Sequence, residues 1–179
     1  MTVSIIMSKD RIQQEHAMLN RLAVGLMDDG TQVVQVAPTS SNEDTPLEQS
    51  TSLAQRIYAP MPVSMLLRKA RRDEVVEALD KANTTIIAAF GKQATQLALD
   101  VAPVLSVSVL SEVVSMKDAN RTRTSSPIWR WFAATPTIER TIANRVGQER
   151  TALVPLGVAV HGHNQICLSL AKFPELDNP

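Results

Sequence analysis

Three short apolar runs are decisive for the fold of this chain: Trp131-Phe-Ala-Ala-Thr-Pro136, Leu153-Val-Pro-Leu-Gly-Val158 and Ile166-Cys-Leu-Ser-Leu-Ala-Lys172. The first run predicts a strand followed by a helix, because Thr135 is a favoured N-cap residue and Pro136 suits the first helical turn. The other two runs have the length and composition of strands. Strands and helices are therefore expected to alternate in this part of the chain.

The same alternation extends towards the N-terminus. Strands are expected at residues 3–7, 32–37, 56–59, 84–89, 104–109, 131–134 and 152–155. Helices are expected at residues 10–28, 63–81, around 94–98 and at 136–145. Strands that alternate with helices imply a parallel sheet, since parallel neighbours need crossover connections. The predicted fold class is α/β, a Rossmann-like, doubly wound, mostly parallel sheet with helices on both faces, whose ligands bind beyond the carboxyl ends of the strands.

The composition excludes several classes of protein. The 179 residues suit one domain, and 18 basic residues balance 18 acidic ones, so no nucleic-acid partner is expected. The single cysteine, Cys167, excludes an intrachain disulfide framework and fits a reducing compartment. The apolar stretches fall short of the roughly 20 residues that a membrane span needs. We therefore expect a cytoplasmic protein.

Four pieces of the chain carry a resemblance to a known family. Leu19-x-x-Leu22-Ala23-x-x-Leu26-x-x-x-Gly30-x-x-Val33 joins a helix to a strand, and Thr85-Ile-Ile-Ala-Ala-Phe-Gly91 forms a strand and a turn. Phe132-Ala-Ala-Thr135 is followed by Val154-Pro-Leu-Gly-Val158, and Ser169-Leu-Ala-Lys-Phe173 lies near the end. Their order resembles the N-terminal domain of retaining GT-B glycosyltransferases (glycosyl transferases group 1, family 4-like).

This resemblance implies a division of the chain and an activity. Residues 1–160 would form the N-terminal, acceptor-side domain, and residues 161–179 the interdomain linker and the first strand of a missing second domain. The complete enzyme would be a retaining hexosyltransferase that transfers a sugar from a nucleotide-sugar donor to a sugar, lipid or other small-molecule acceptor. No further cofactor is expected. This chain alone is expected to be inactive, since the family binds its donor in the second domain.

The candidate site residues lie at expected strand ends and at positions that the resemblance suggests. The acceptor-binding candidates are Ser8, Lys9, Asp10, Phe90, Gly91, Lys92, Ser108 and Ser111. Lys172 stands where the family binds the donor phosphate with an arginine, and no catalytic residue is assigned. The structural alternative is that Ser8 and Asp10 only cap a helix, with solvated basic neighbours, and that Gly91 only serves a turn.

Departures from the family pattern leave a second function open. Ala88, Phe90, Ser108 and Val109 occupy positions where the family commonly carries histidines, and the loop after the first strand contains no glycine. The alternative is a non-catalytic Rossmann-like binding or protein-interaction domain that has lost glycosyltransferase chemistry. A third reading is a flavodoxin-like binder of small molecules.

Three other segments have possible functional interpretations. The basic residues within 68–72 form either a solvated helix face with ion pairs or a peripheral membrane contact. Residues 111–130 form either a mobile acceptor-binding loop or a plain connector. His161 and His163 would need further ligands to form a metal site, and we expect no bound metal.

Overall fold

The computed structural model describes residues 1–37, 55–58 and 68–154. Its strands are β1 (Thr2–Met7), β2 (Gln32–Ala37), β3 (Gln55–Tyr58), β4 (Ile86–Phe90), β5 (Ser108–Val113), β6 (Ile128–Ala133) and β7 (Thr151–Leu153). Its helices are α1 (Lys9–Asp28), α2 (Arg68–Lys81), α3 (Lys92–Leu105), α4 (Met116–Ala119) and α5 (Pro136–Val146), with a short 3-10 helix at Gln148–Arg150. The predicted alternation of strands and helices is confirmed.

The described strands form one sheet in the order β3-β2-β1-β4-β5-β6-β7. All neighbouring strands in this sheet are parallel. The chain runs outward from β1 to β2 and β3, then crosses back to place β4 on the other side of β1. This reversal of direction is the topological switch point at which doubly wound sheets open a crevice. The predicted α/β, Rossmann-like fold class is confirmed.

Apolar side chains on both faces of the sheet hold the helices. On one face, Val3 and Ile5 of β1 belong to the same buried cluster as Leu22 of α1. On the other face, Ile87 of β4 clusters with Leu97 of α3 and with residues of α2 and α5. Every residue of β1 and β4 is buried, as expected of parallel strands that are covered on both sides. The helices therefore cover both faces, as predicted.

The start of α5 follows the sequence prediction closely. Oγ1 of Thr135 accepts a hydrogen bond from the backbone N–H of Ile138 at 3.3 Å, and Pro136 lies in the first turn. The hydroxyl supplies a partner for one of the N–H groups that a helix start leaves unpaired. The prediction of an N-cap and a first-turn proline is confirmed.

The helix α3 is longer than predicted, and this displaces β5 along the chain. The helix continues through Pro103 to Leu105, with Val101 and Ala102 buried in the core. Ser106 then ends it in the left-handed conformation with a φ of 56°. The strand predicted at residues 104–109 is therefore wrong, and β5 begins only at Ser108.

The polar stretch after β5 also differs from its prediction as one loop or connector. Residues 111–113 complete β5, α4 follows at Met116–Ala119, and β6 begins at Ile128. Oγ of Ser115 caps α4 by accepting a hydrogen bond from the backbone N–H of Asp118 at 3.1 Å. A capped helix therefore lies between the two strands, beside the carboxyl edge of the sheet.

None of the helices in the described ranges is both long enough and apolar enough to span a bilayer.

Candidate functional site

The turns that follow β1 and β4 touch each other at the switch point. The backbone N–H of Ser8 donates to the carbonyl oxygen of Phe90 at 3.0 Å. Gly91 follows with a φ of +93°, and a Cβ atom on it would lie 1.9 Å from Oγ of Ser8 and 2.7 Å from Cγ of Arg11. Both the backbone conformation and the close approach therefore require glycine at this position.

A buried ion pair crosses the same edge of the sheet. Nε and Nη2 of Arg11, in the first turn of α1, donate to the two carboxylate oxygens of Glu112, near the end of β5, at 2.9 and 2.6 Å. The two side chains are only 4% and 5% exposed. Two-point guanidinium–carboxylate contacts combine strength with a defined geometry. The pair therefore fixes the start of α1 relative to β5.

A cavity of about 440 Å³ opens beside this ion pair. Its walls come from the first turn of α1, the N-terminal half of α3, the end of β5, the α4 region and β6. The volume falls within the range of roughly 300–1,000 Å³ that is usual for small-molecule sites. Its position at the carboxyl edge of the sheet is where ligands of doubly wound folds bind.

The cavity presents two exposed cations, Lys92 and Arg121. Within the part of the chain that the structure describes, neither side chain forms an ion pair. Oγ1 of Thr95 and Oγ of Ser111 lie 2.8 Å apart in a hydrogen bond, and both residues line the cavity. Two cations and two hydroxyl-bearing residues therefore line the same cavity, a composition suited to a polar small molecule.

Four of the predicted acceptor residues come together at this edge. Gly91, Lys92 and Ser111 line the cavity. Ser8 is fully buried and packs against Gly91. Ser8 also occupies the N-cap position of α1, although its side chain makes no capping hydrogen bond.

Two other predicted residues lie elsewhere. The side chain of Phe90 is buried in the apolar cluster on the α1 face, so only its backbone contributes to the turn. Ser108 begins β5 and therefore lies at the amino edge, where it lines a separate cavity with Trp129 and Arg150. The expectation that Ser108 lies near the carboxyl end of a strand predicted at residues 104–109 is wrong, because α3 extends to Leu105 and β5 only begins at Ser108.

The remaining predicted residues have no described side-chain geometry. The backbone of Lys9 and Asp10 forms the first turn of α1, but their side chains lie outside the described parts of the chain. Lys172 lies outside the described residues, as do His161, His163 and the whole segment 161–179. Among the residues that are described, no group of three or more His, Cys, Asp or Glu is placed to hold a metal ion.

Sequence reasoning does not find the pairing of Arg11 with Glu112. The available signal is Glu112 itself, a single carboxylate within an otherwise apolar strand end, which indicates a buried partner of opposite charge. Nothing local identifies that partner, because Arg11 lies 101 residues earlier in the chain. The cavity-lining role of Trp131 is also missed, and Arg121 is anticipated only as one of many residues in the possible acceptor-binding loop at 111–130.

The basic segment 68–72 lies at the start of the described part of α2. Arg72 donates to Asp73 at 2.8 Å, and Lys81 donates to Glu77 at 2.6 Å across one turn of an exposed helix face. These contacts agree with the interpretation of α2 as a solvated face with ion pairs. Contact of this helix with a membrane surface stays a prediction.

No family model and no curated protein matches the sequence, but the fold has clear structural relatives. A glycosyltransferase from Rickettsia africae superposes with a TM-score of 0.67 at 8% identity, over 86% of this chain and 42% of its own. A sucrose-phosphate synthase from Thermosynechococcus elongatus gives 0.60 at 15% identity, over 96% of both chains. A UDP-N-acetylglucosamine 2-epimerase from Rickettsia bellii gives 0.61 at 12% identity, over 96% of this chain and 48% of its own.

These relatives are GT-B glycosyltransferase-like proteins. At such identities the likeness shows the fold alone. This chain has the α/β, Rossmann-like fold of one half of a GT-B protein. It spans less than half of the glycosyltransferase and epimerase chains and nearly all of the sucrose-phosphate synthase chain.

Proposed function

We propose that this chain is the N-terminal, acceptor-binding domain of a nucleotide-sugar-dependent glycosyltransferase. The observation that carries the proposal is the cavity at the carboxyl edge of β5, beside the switch point of the sheet. The chain also superposes on less than half of a glycosyltransferase chain. In this proposal the cavity holds the acceptor, and a second domain holds the nucleotide sugar. The chain by itself is then inactive.

The residues of the cavity have distinct roles in the proposal. Lys92 and Arg121 attract and orient the acceptor, and the hydroxyl groups of Thr95 and Ser111 hydrogen-bond to it. This side of the enzyme accelerates transfer mainly by holding the acceptor hydroxyl in a reactive position. Stabilisation of the departing diphosphate falls to second-domain groups, to which Lys172 belongs in this proposal. The retaining, hexosyltransferase-type stereochemistry is part of the same proposal.

The test measures sugar transfer by the full-length protein from a panel of nucleotide sugars to a panel of small-molecule acceptors. Lys92→Ala is expected to raise the acceptor KM about tenfold and to leave the donor KM unchanged, because it removes a charged contact. Lys117→Ala is the matched control, since Lys117 is an exposed cation of α4 that does not line the cavity. A donor KM that rises while the acceptor KM stays constant would contradict the assignment of the cavity to the acceptor.

One observation favours the alternative of a non-catalytic binding domain. Both carboxylate oxygens of Glu112 are engaged by Arg11, so this carboxylate at the crevice is poorly placed to take a proton from a substrate. Ligand binding without turnover of any nucleotide sugar by the full-length protein would support this alternative. Since a UDP-N-acetylglucosamine 2-epimerase shares the fold, the turnover assay must also measure epimerisation of the donor.

A further inference from the structure

We propose that the cavity beside α3 recognises an acceptor that carries a phosphate group. This inference deepens the proposed function and rests on it, because it names the chemical class of the acceptor.

The balance of charge in the cavity favours an anion. Lys92 and Arg121 line it without an ionic partner among the described residues. The two nearby carboxylates are already engaged: Glu112 by Arg11, and Asp118 by the hydroxyl of Ser115 at 2.7 Å. Two cations thus remain for a ligand that brings negative charge.

Backbone donors at the same place add to this preference. The first intrahelical bond of α3 runs from the N–H of Thr95 to the carbonyl oxygen of Gly91 at 2.9 Å, and Gly91 has no side chain to cap the helix. Within the described part of the chain, the N–H groups of residues 92–94 therefore have no acceptor. Unpaired N–H groups and the helix dipole favour an anion at a helix N-terminus.

An independent observation concerns a lining residue from β6. Trp131 lines the cavity and is only 7% exposed. Its indole N–H has no hydrogen-bond acceptor among the described residues. A buried donor without an acceptor is unfavourable, so the residues that line this cavity include a donor that the described part of the chain leaves unsatisfied. The lining contributed by β6 therefore also contains a donor without an acceptor, and a phosphate group supplies acceptors of this kind.

A phosphate fits these donors better than a neutral sugar does. It carries about −1.5 to −2 charges at neutral pH and three strong acceptor oxygens. An exposed apolar side chain shares the lining of the cavity with the cations, since Val114 also lines it and is 41% exposed. The phosphate could therefore belong to a soluble sugar phosphate or to the headgroup of a lipid, and the experiment has one arm for each.

The experiment uses the full-length protein and calorimetric titration with glucose 6-phosphate, with glucose as the neutral reference. We expect binding of the phosphate ester, weaker binding at high salt, and no binding of glucose at the same concentrations. Lys92→Gln and Arg121→Gln should each weaken the affinity about three- to tenfold. The controls are Lys117→Gln and Arg123→Gln, two exposed cations that do not line the cavity and should leave the affinity unchanged.

A second readout is specific to the wall of the cavity. The indole ¹⁵N–¹H resonance of Trp131 should shift on addition of glucose 6-phosphate, and Trp129→Phe distinguishes it from the other tryptophan of the chain. In the lipid arm, vesicles of neutral phosphatidylcholine are compared with vesicles that also contain phosphatidic acid. Binding only to the latter, lost in Lys92→Gln and Arg121→Gln, would assign the phosphate to a lipid headgroup.

Two outcomes would overturn the inference. One is the absence of binding in both arms. The other is binding that is unchanged in both cavity variants and leaves the Trp131 resonance in place. Either result would leave the proposed function standing if the same protein still transfers sugar to an uncharged acceptor. Phosphate binding by a protein that transfers no sugar would instead contradict the proposed function and support the assignment of the cavity as an anion site.

Discussion

Breaking the ion pair between Arg11 and Glu112 should destabilise the protein far more than replacing both residues. The perturbation is a set of three variants: Arg11→Met, Glu112→Leu and the double variant. The side chains are 4% and 5% exposed, and each carboxylate oxygen receives one N–H from the guanidinium group. Solvent therefore compensates little of either charge when its partner is removed.

The magnitudes follow from that burial. Each single variant leaves one uncompensated buried charge and should lower the free energy of unfolding by about 3–5 kcal/mol. This is a large part of the roughly 5–15 kcal/mol that stabilises a typical domain. The double variant leaves no buried charge, fills the space with apolar atoms, and should lie within about 1–2 kcal/mol of the parent protein.

Urea denaturation measures these values, with an unchanged slope m as the condition for comparing variants. The control is Arg72→Met, which breaks the more exposed pair with Asp73 (33% and 55% exposed) and should cost less than about 1 kcal/mol. Additive single effects, with a double variant as unstable as their sum, would refute the reasoning. So would single variants that cost no more than the Arg72 control.

Three further predictions concern the turns and helix ends. Gly91→Ala should lower the free energy of unfolding, measured by urea denaturation, by about 2–5 kcal/mol, because its Cβ would meet the buried Ser8. Gly30→Ala is the control, at a φ of +78° with no atom within 4 Å, and should lower it by only about 1 kcal/mol. Equal losses in the two variants would contradict the steric argument. Thr135→Ala should lose about 1 kcal/mol with the α5 cap, while Thr135→Ser keeps the hydroxyl and the stability. The hydrogen bond from Lys81, and then its charge, lower the pKa of Glu77 from its ordinary value, so Lys81→Gln should raise it in an NMR titration. Because the folded pKa is the lower one, this pair stabilises the protein above about pH 4.5 and its contribution disappears as the pH falls through the lowered pKa.

Local chemistry in the sequence was enough to predict the alternation of the longer strands and helices and the parallel sheet, but not α4. The β2 strand has its predicted limits at Gln32–Ala37, and Thr135 with Pro136 begins α5 as predicted. The failure at α3 shows where local signals stop being reliable. Pro103 suggests a helix end, but burial of Val101 and Ala102 against the sheet carries the helix past it. Tertiary packing thus outweighed a strong local preference.

The candidate site was predictable only where it depends on strand ends. Gly91 and Lys92 follow β4 directly, and they lie at the carboxyl edge where the topology rule places ligand sites. Arg121 and Trp131 reach the cavity through the packing of α4 and β6, which no residue spacing reveals. The Arg11–Glu112 pair was beyond local reasoning, since its two halves lie on elements that meet only in the folded sheet.

The long sequence separation of that ion pair also bears on the order of folding. β1, α1 and β2 are contiguous in the first 37 residues and can associate as soon as they have been synthesised. The carboxylate for Arg11 is made 101 residues later, and until β5 has joined β4 the guanidinium group must stay hydrated. The ion pair that fixes the first turn of α1 can therefore form only after β5 has joined the sheet. The crevice begins with some of the earliest residues of the chain, yet it is complete only when strands from the second half of the chain have joined the sheet.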